Sequence, residues 1–173
     1  NIKEEVHNMT VRQVAEEIHK LANGKCFNLV ITGGEPMLQQ TEIINLLNDE
    51  MFTAFRGPYG RVEIETNGTQ EINYTLFEMV DQFNVSPKLT NNKVDTLEKR
   101  KLHESHTKNR KSVFKFVVER QADLKEIDEM FDRGMLGDNK SNIFLMPQIY
   151  DKEGYEEKAL LVMDLCVKSG YRF

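Results

Sequence analysis

Four short stretches of this sequence combine residue types that could do chemistry. The first is Thr32-Gly33-Gly34-Glu35-Pro36. Paired glycines permit positive backbone angles and let a ligand come close to the main chain, and Glu35 sets a carboxylate beside those open amides. Such a loop can hold a zwitterion. The plainer reading is a Gly-Gly turn with Glu35 capping the next helix. The second stretch is Glu65-Thr66-Asn67-Gly68-Thr69, at the end of an alternating segment. Val62 and Ile64 fall on one face there, Glu63 and Glu65 on the other. Two carboxylates on one sheet face are expensive to bury unless that side holds something polar, which favours a barrel with a polar upper interior. Asn67-Gly68 also suits a tight hairpin, but the helical segment that follows argues against one. The third is Ser86-Pro87-Lys88, whose hydroxyl and ammonium suit hydroxyls or a carboxylate, or serve as a turn. The fourth is Met146-Pro147-Gln148, which can offer main-chain groups to a base or ring and is uninformative alone.

Other reactive residues read as ordinary. His7, His19, His103 and His106 have no acidic or cysteine partner at metal-ligand spacing and are expected to be solvated. Cys166 falls on an apolar helical stripe and is expected in the core. No phosphate-binding loop and no serine-histidine-aspartate arrangement is evident.

The elements that must position these residues alternate between helix and strand. Thr10 and Gln13 form a capping box, followed by Val11, Val14, Ala15, Ile18, Leu21 and Ala22 at helical spacing, with Asn23-Gly24 as the stop. Strands are predicted at 27–32, 61–66, 83–86, 113–118 and 143–146. Helices are predicted over 38–47, around 76–80, and around 124–131. A last helix has Tyr155, Ala159, Val162, Met163 and Cys166 as its apolar stripe. Tyr171-Arg172-Phe173 starts a further extended segment. Strands separated by helices imply parallel pairing through crossovers, hence an α/β fold with ligands at the carboxyl ends of the strands. Pro36, Pro87 and Pro147 all follow strands at that edge, where proline ends pairing and aims the loop.

Composition sets the bounds. The chain has 173 residues, 23 basic and 28 acidic side chains and a net charge of −5. That length suits one domain, 1–173, with a sizeable core. At 29% charged and 39% hydrophobic, the chain is globular rather than disordered. No apolar run approaches a membrane span, so no membrane partner is expected. Two cysteines, Cys26 and Cys166, exclude a disulfide scaffold and suit a cytoplasmic setting; alone they cannot make an iron–sulfur site. Residues 88–111 hold eight Lys or Arg and three acids. This basic stretch reads either as a solvated connection or as an anion-facing loop.

Taken in order, Val30-Ile31-Thr32-Gly33-Gly34-Glu35-Pro36, Glu65-Thr66-Asn67-Gly68-Thr69, Val85-Ser86-Pro87-Lys88 and Met146-Pro147-Gln148 resemble the radical S-adenosylmethionine superfamily, and within it the 7-carboxy-7-deazaguanine synthases. The likeness covers nearly the whole chain. It implies a partial (β/α)6 barrel of the radical S-adenosylmethionine type, truncated at both ends. It implies that Gly33, Gly34 and Glu35 hold the amino group of S-adenosylmethionine. Ser86, Pro87 and Lys88 would line its ribose and carboxylate side, and Met146, Pro147 and Gln148 its adenine. Thr32 and Glu65 would touch a pterin substrate. The implied reaction contracts the ring of 6-carboxy-5,6,7,8-tetrahydropterin to 7-carboxy-7-deazaguanine with loss of ammonia. A [4Fe-4S] cluster, magnesium and an external electron donor would take part. The resemblance suggests no direct nucleic-acid binding and leaves room for a homodimer.

The family's Cys-x3-Cys-x2-Cys loop, its magnesium ligand and its C-terminal substrate-contacting tail have no counterpart in this sequence. The chain starts at Asn1 and stops at Phe173 within an apolar stretch, so an internal fragment, inactive by itself, is expected. Two other readings are a different radical S-adenosylmethionine enzyme of the activating type and a non-catalytic relic that binds S-adenosylmethionine.

Overall fold

A computed structural model describes residues 7–56, 60–91, 101–149 and 154–173. Part of the basic stretch, 92–100, lies outside the described residues. Helix α1 (Val11–Ala22) starts at the expected capping box. The Gln13 N–H donates to Thr10 Oγ1 at 3.2 Å, and the Thr10 N–H donates to Gln13 Oε1 at 2.8 Å. Asn23 ends the helix in the left-handed region at φ 48°. Ala15 is buried, with Val11, Val14 and Ile18 packed against the core. Leu21, expected in that stripe, is exposed. It lies on the same face as Val14 and Ile18 but in the last turn of the helix, where none of the described elements covers it.

Strand β1 (Leu29–Ile31) leads into the first glycine loop. The helix predicted over 38–47 divides into a 3-10 turn, Pro36–Gln39, and helix α2 (Gln40–Leu47). Helix α3 (Glu50–Arg56) was not read from the sequence. Its signal was Asp49, whose Oδ1 accepts from the N–H groups of Met51 and Phe52. Then come β2 (Val62–Thr66), α4 (Tyr74–Met79), β3 (Gln82–Val85), α5 (Glu104–Thr107), β4 (Ser112–Val118), α6 (Gln121–Asp132), β5 (Ile143–Pro147) and α7 (Tyr155–Ser169). On α7 the buried residues are Ala159, Val162, Leu165 and Cys166. Tyr155 and Met163 are exposed, which corrects the expected stripe, whereas Cys166 is in the core as expected.

The five strands form one parallel sheet in the order β1-β2-β3-β4-β5. Each strand lies beside its neighbour in sequence, so the sheet is wound in one direction without a switch point. Beyond β5 the chain begins a sixth parallel pairing. The Arg172 N–H donates to the Ile143 carbonyl at 2.9 Å, and the Leu145 N–H to the Arg172 carbonyl at 2.8 Å.

The two sheet faces differ in kind. Val62, Ile64, Phe83, Val85, Phe114, Phe116, Val118, Ile143 and Leu145 join residues of the helices in one buried cluster. The alternate residues Val30, Glu63, Gln82, Asn84, Val113, Lys115, Val117, Phe144 and Met146 take no part in it. One face is therefore the core and the other is left for polar contacts, as the alternation of Val62-Glu63-Ile64-Glu65 implied.

Candidate functional site: the loops at the carboxyl ends of the strands

The polar face has a closed circuit of side chains on β2 and β3. Asn84 Nδ2 donates to Glu63 Oε2 at 2.9 Å, and Gln82 Nε2 donates to Asn84 Oδ1 at 2.8 Å. Arg61 donates to Gln82 Oε1 at 3.3 Å and reaches Glu63 Oε1 at 3.8 Å. Glu63 and Asn84 thus satisfy one another in a half-buried setting. Nearer the strand ends, Thr32 Oγ1 donates to Glu65 Oε2 at 3.2 Å, and Lys115 Nζ lies 3.6 Å from Glu65 Oε1. Thr32 and Glu65, paired in the sequence reading, do meet. Lys115 was missed, because a single polar residue in the apolar run 113–118 carries no local signal of its role.

The first loop sits above this face. Gly33 and Gly34 have φ of +94° and +53°, with open space where a β-carbon would project. Their main chain is therefore accessible to a ligand. Glu35 does more than cap. Its Oε1 accepts from the Met37 N–H at 3.1 Å and the Thr66 hydroxyl at 2.6 Å, and its Oε2 accepts from the Asn67 N–H at 2.8 Å. Both readings of Glu35 remain compatible, since a carboxylate offers about four acceptor positions and the three bonds leave room for another donor.

The second loop is an Asx turn. Asn67 Oδ1 accepts from the Thr69 N–H at 2.9 Å, and the Gly68 N–H donates to Thr66 Oγ1 at 3.1 Å. It leads to α4, so the hairpin alternative does not apply. The third loop lies next to it, where the Ser86 N–H donates to the Thr66 carbonyl at 2.8 Å. Ser86 is half-buried and Pro87 buried. Lys88 is exposed and lines a cavity of about 680 Å³ with Lys101, Lys125 and Arg133 along α6. At the end of β5, Met146 is exposed and faces Val117 in register; Pro147 and Gln148 are half-buried. The Gln148 N–H donates to the Val118 carbonyl at 3.1 Å. The structure thus ties the first three loops together and sets the fourth two strands beyond the third.

One histidine was misread. His106, expected to be solvated, is fully buried against Phe83, with ring centroids 6.0 Å apart. Burial pushes its pKa down, a change only partly offset by the Gln70 carbonyl. The reason is tertiary. Residues 102–109 fold back onto the second loop, burying Leu102 as well. Among the described residues no cluster of His, Cys, Asp or Glu is placed to hold a metal ion. No helix among them is long and apolar enough to cross a membrane.

A singly wound parallel sheet with one polar face, and a glycine loop fastened to its neighbour at the strand ends, defines an α/β protein whose open main chain and polar side chains lie together at the carboxyl edge of the sheet. No family model matches the sequence. Among curated proteins, the chain is 32% identical over 167 residues to 7-carboxy-7-deazaguanine synthase of Pyrobaculum aerophilum, covering 95% of this chain and 70% of the relative. It is 34% identical over 125 residues to the protein of the same name from Clostridium acetobutylicum, covering 69% of this chain and 51% of the relative. The chain belongs to the 7-carboxy-7-deazaguanine synthase family. The chain spans only part of the length of these relatives.

Proposed function

We propose that these residues form the S-adenosylmethionine- and pterin-binding portion of a radical enzyme that contracts 6-carboxy-5,6,7,8-tetrahydropterin to 7-carboxy-7-deazaguanine with loss of ammonia. The observation that carries this reading is the accessible Gly33-Gly34 main chain, held beside Glu35 above a sheet face bearing Glu65 and Lys115. The fit to S-adenosylmethionine rests on the donor set. The carbonyls and the remaining capacity of Glu35 suit its ammonium group, and the open space at Gly33 and Gly34 admits it without a clash. Met146, Pro147 and Gln148 would border the adenine, and Ser86, Pro87 and Lys88 the ribose and carboxylate side.

S-adenosylmethionine held by these residues would supply hydrogen-abstraction chemistry, with a [4Fe-4S] cluster as its electron source. The roles of this chain are binding and orientation. Glu65 is aimed by Thr32 and Lys115, so its carboxylate can accept an N–H of a pterin ring at a fixed place. The Arg61-Glu63-Asn84-Gln82 circuit would fix the floor beneath it. The strand order suits a partial (β/α) barrel whose inner wall is this polar face. Cys26 and Cys166 are not grouped with other metal-ligating side chains among the described residues.

The test is direct. Gly34→Val in the whole protein should weaken S-adenosylmethionine binding by about tenfold or more, since a branched side chain would occupy the approach and strain the left-handed backbone. Wild-type protein should form 7-carboxy-7-deazaguanine with an equivalent of ammonia. Unchanged affinity in the variant would remove the glycine loop from the site. Absence of that product in cluster-loaded wild-type protein would remove the reaction.

A further inference from the structure

The segment 102–109 contacts the second loop at three points, each through a main-chain group of that loop. The His103 N–H donates to the Gly68 carbonyl at 2.8 Å. The Ile72 N–H donates to Ser105 Oγ at 3.0 Å. His106 Nε2 lies 2.9 Å from the Gln70 carbonyl. A carbonyl only accepts, so Nε2 carries the proton. Nδ1 is then a bare lone pair, buried and without a partner among the described residues. The same loop supplies the Thr66 hydroxyl and the Asn67 N–H that hold Glu35. The connection therefore runs from His106 to Gln70, along the 66–70 turn, and on to Glu35.

We propose that His106 is a positioning residue for the glycine loop: its Nε2–H pins the second loop and thereby fixes the donors that hold Glu35. This rests on the reading of Gly33-Gly34-Glu35 as the S-adenosylmethionine loop. His106 is fully buried beneath the turn and acts through it. Only the neutral ring fits, because protonation would place a second N–H where the described residues offer no acceptor. Among the described residues, the titratable groups that act on it are His103 and Glu35. Burial and His103 oppose protonation, and Glu35 favours it. Acid that forces a proton onto Nδ1 loosens the turn and, with it, the hold on Glu35.

The experiment measures the S-adenosylmethionine dissociation constant of the full-length holoenzyme by calorimetry, with urea denaturation in parallel. His106→Leu keeps the volume and removes the donor; it should raise the constant by about tenfold at neutral pH. His106→Gln, whose amide N–H can reach the same carbonyl, should restore it to within about threefold. Because burial keeps the ring neutral, wild-type affinity should hold through the ordinary histidine value of about 6.5 and fall only at more acid pH, and His106→Gln should lack that fall. Unchanged affinity in folded His106→Leu overturns the inference. If that variant does not fold, an identical pH response in wild type and His106→Gln overturns it. Wild-type protein that fails to bind S-adenosylmethionine at neutral pH removes the underlying reading and the inference together. Normal wild-type binding with unaffected variants removes the inference alone.

Discussion

The carboxylate of Glu35 and the hydroxyl of Thr66 meet at 2.6 Å, across 31 positions of sequence. Thr66 is buried, and its oxygen also accepts from the Gly68 N–H. One hydroxyl thus joins two loops on adjacent strands. Thr66→Val keeps the shape but removes both interactions and leaves an unpaired N–H. It should destabilise the protein by about 1–3 kcal/mol, read as a lower urea midpoint at unchanged slope. A midpoint equal to wild type would show that the two loops do not depend on this bond.

Gly68 and the Gly33-Gly34 pair should respond differently to alanine. At Gly68 a β-carbon would come within 2.5 Å of Val85 Cγ1 and 2.6 Å of Leu102 Cδ2, at φ +76°. At Gly33 and Gly34 it would meet nothing. Gly68→Ala should therefore cost more than about 2 kcal/mol, from strain plus overpacking, whereas Gly33→Ala should cost about 1 kcal/mol from the backbone angle alone. Thermal unfolding of the pair checks the order. Equal losses would contradict the packing described around Gly68.

Glu65 and Lys115 form a partly exposed pair, with side chains 46% and 29% accessible. Such a pair contributes little to folding, so Lys115→Met should alter stability by less than about 1 kcal/mol. Its value on the open face is to aim Glu65. The variant and Glu65→Gln should weaken binding of the fluorescent probe 6-carboxypterin by about tenfold at nearly constant stability. A large stability loss with unaltered probe binding would make the pair structural.

Tyr171 donates its hydroxyl to Asp128 Oδ1 at 2.7 Å and packs edge-on to Phe131. Burial first, then the Asp128 hydrogen bond and its negative charge, raise the tyrosine pKa. The neutral form is the one the fold prefers, so this contribution is complete below the ordinary tyrosine value of about 10. It is lost as pH rises beyond that value, where the unfolded chain releases the proton more readily. Tyr171→Phe should cost about 0.5–1.5 kcal/mol at neutral pH and flatten the alkaline loss. Urea midpoints at neutral and alkaline pH test both parts, and an unaltered alkaline slope in the variant would assign the loss to another group.

The features that sequence alone determined are those with a short-range cause. The Thr10–Gln13 box, the alternation Val62-Glu63-Ile64-Glu65, the Gly33-Gly34 turn and the succession of strands and helices along the chain follow from neighbours within a turn or a pleat. The four loop motifs were enough to indicate the family. What only the tertiary structure decided are the contacts between distant segments. Lys115 reaches Glu65 because two crossovers place β4 two strands from β2; nothing within 113–118 marks it. Leu21 and Met163 are exposed because packing, not periodicity, selects which part of an apolar stripe is covered. His106 looked like one more polar residue in a charged run, and its burial depends on the Gln70 carbonyl 36 positions away. Glu35 read equally well as a cap or as a ligand group, and the fold shows it capping the 3-10 turn while fastening the neighbouring loop. Local patterns fix the conformation of each element, but a side chain's partners depend on which elements the chain brings together.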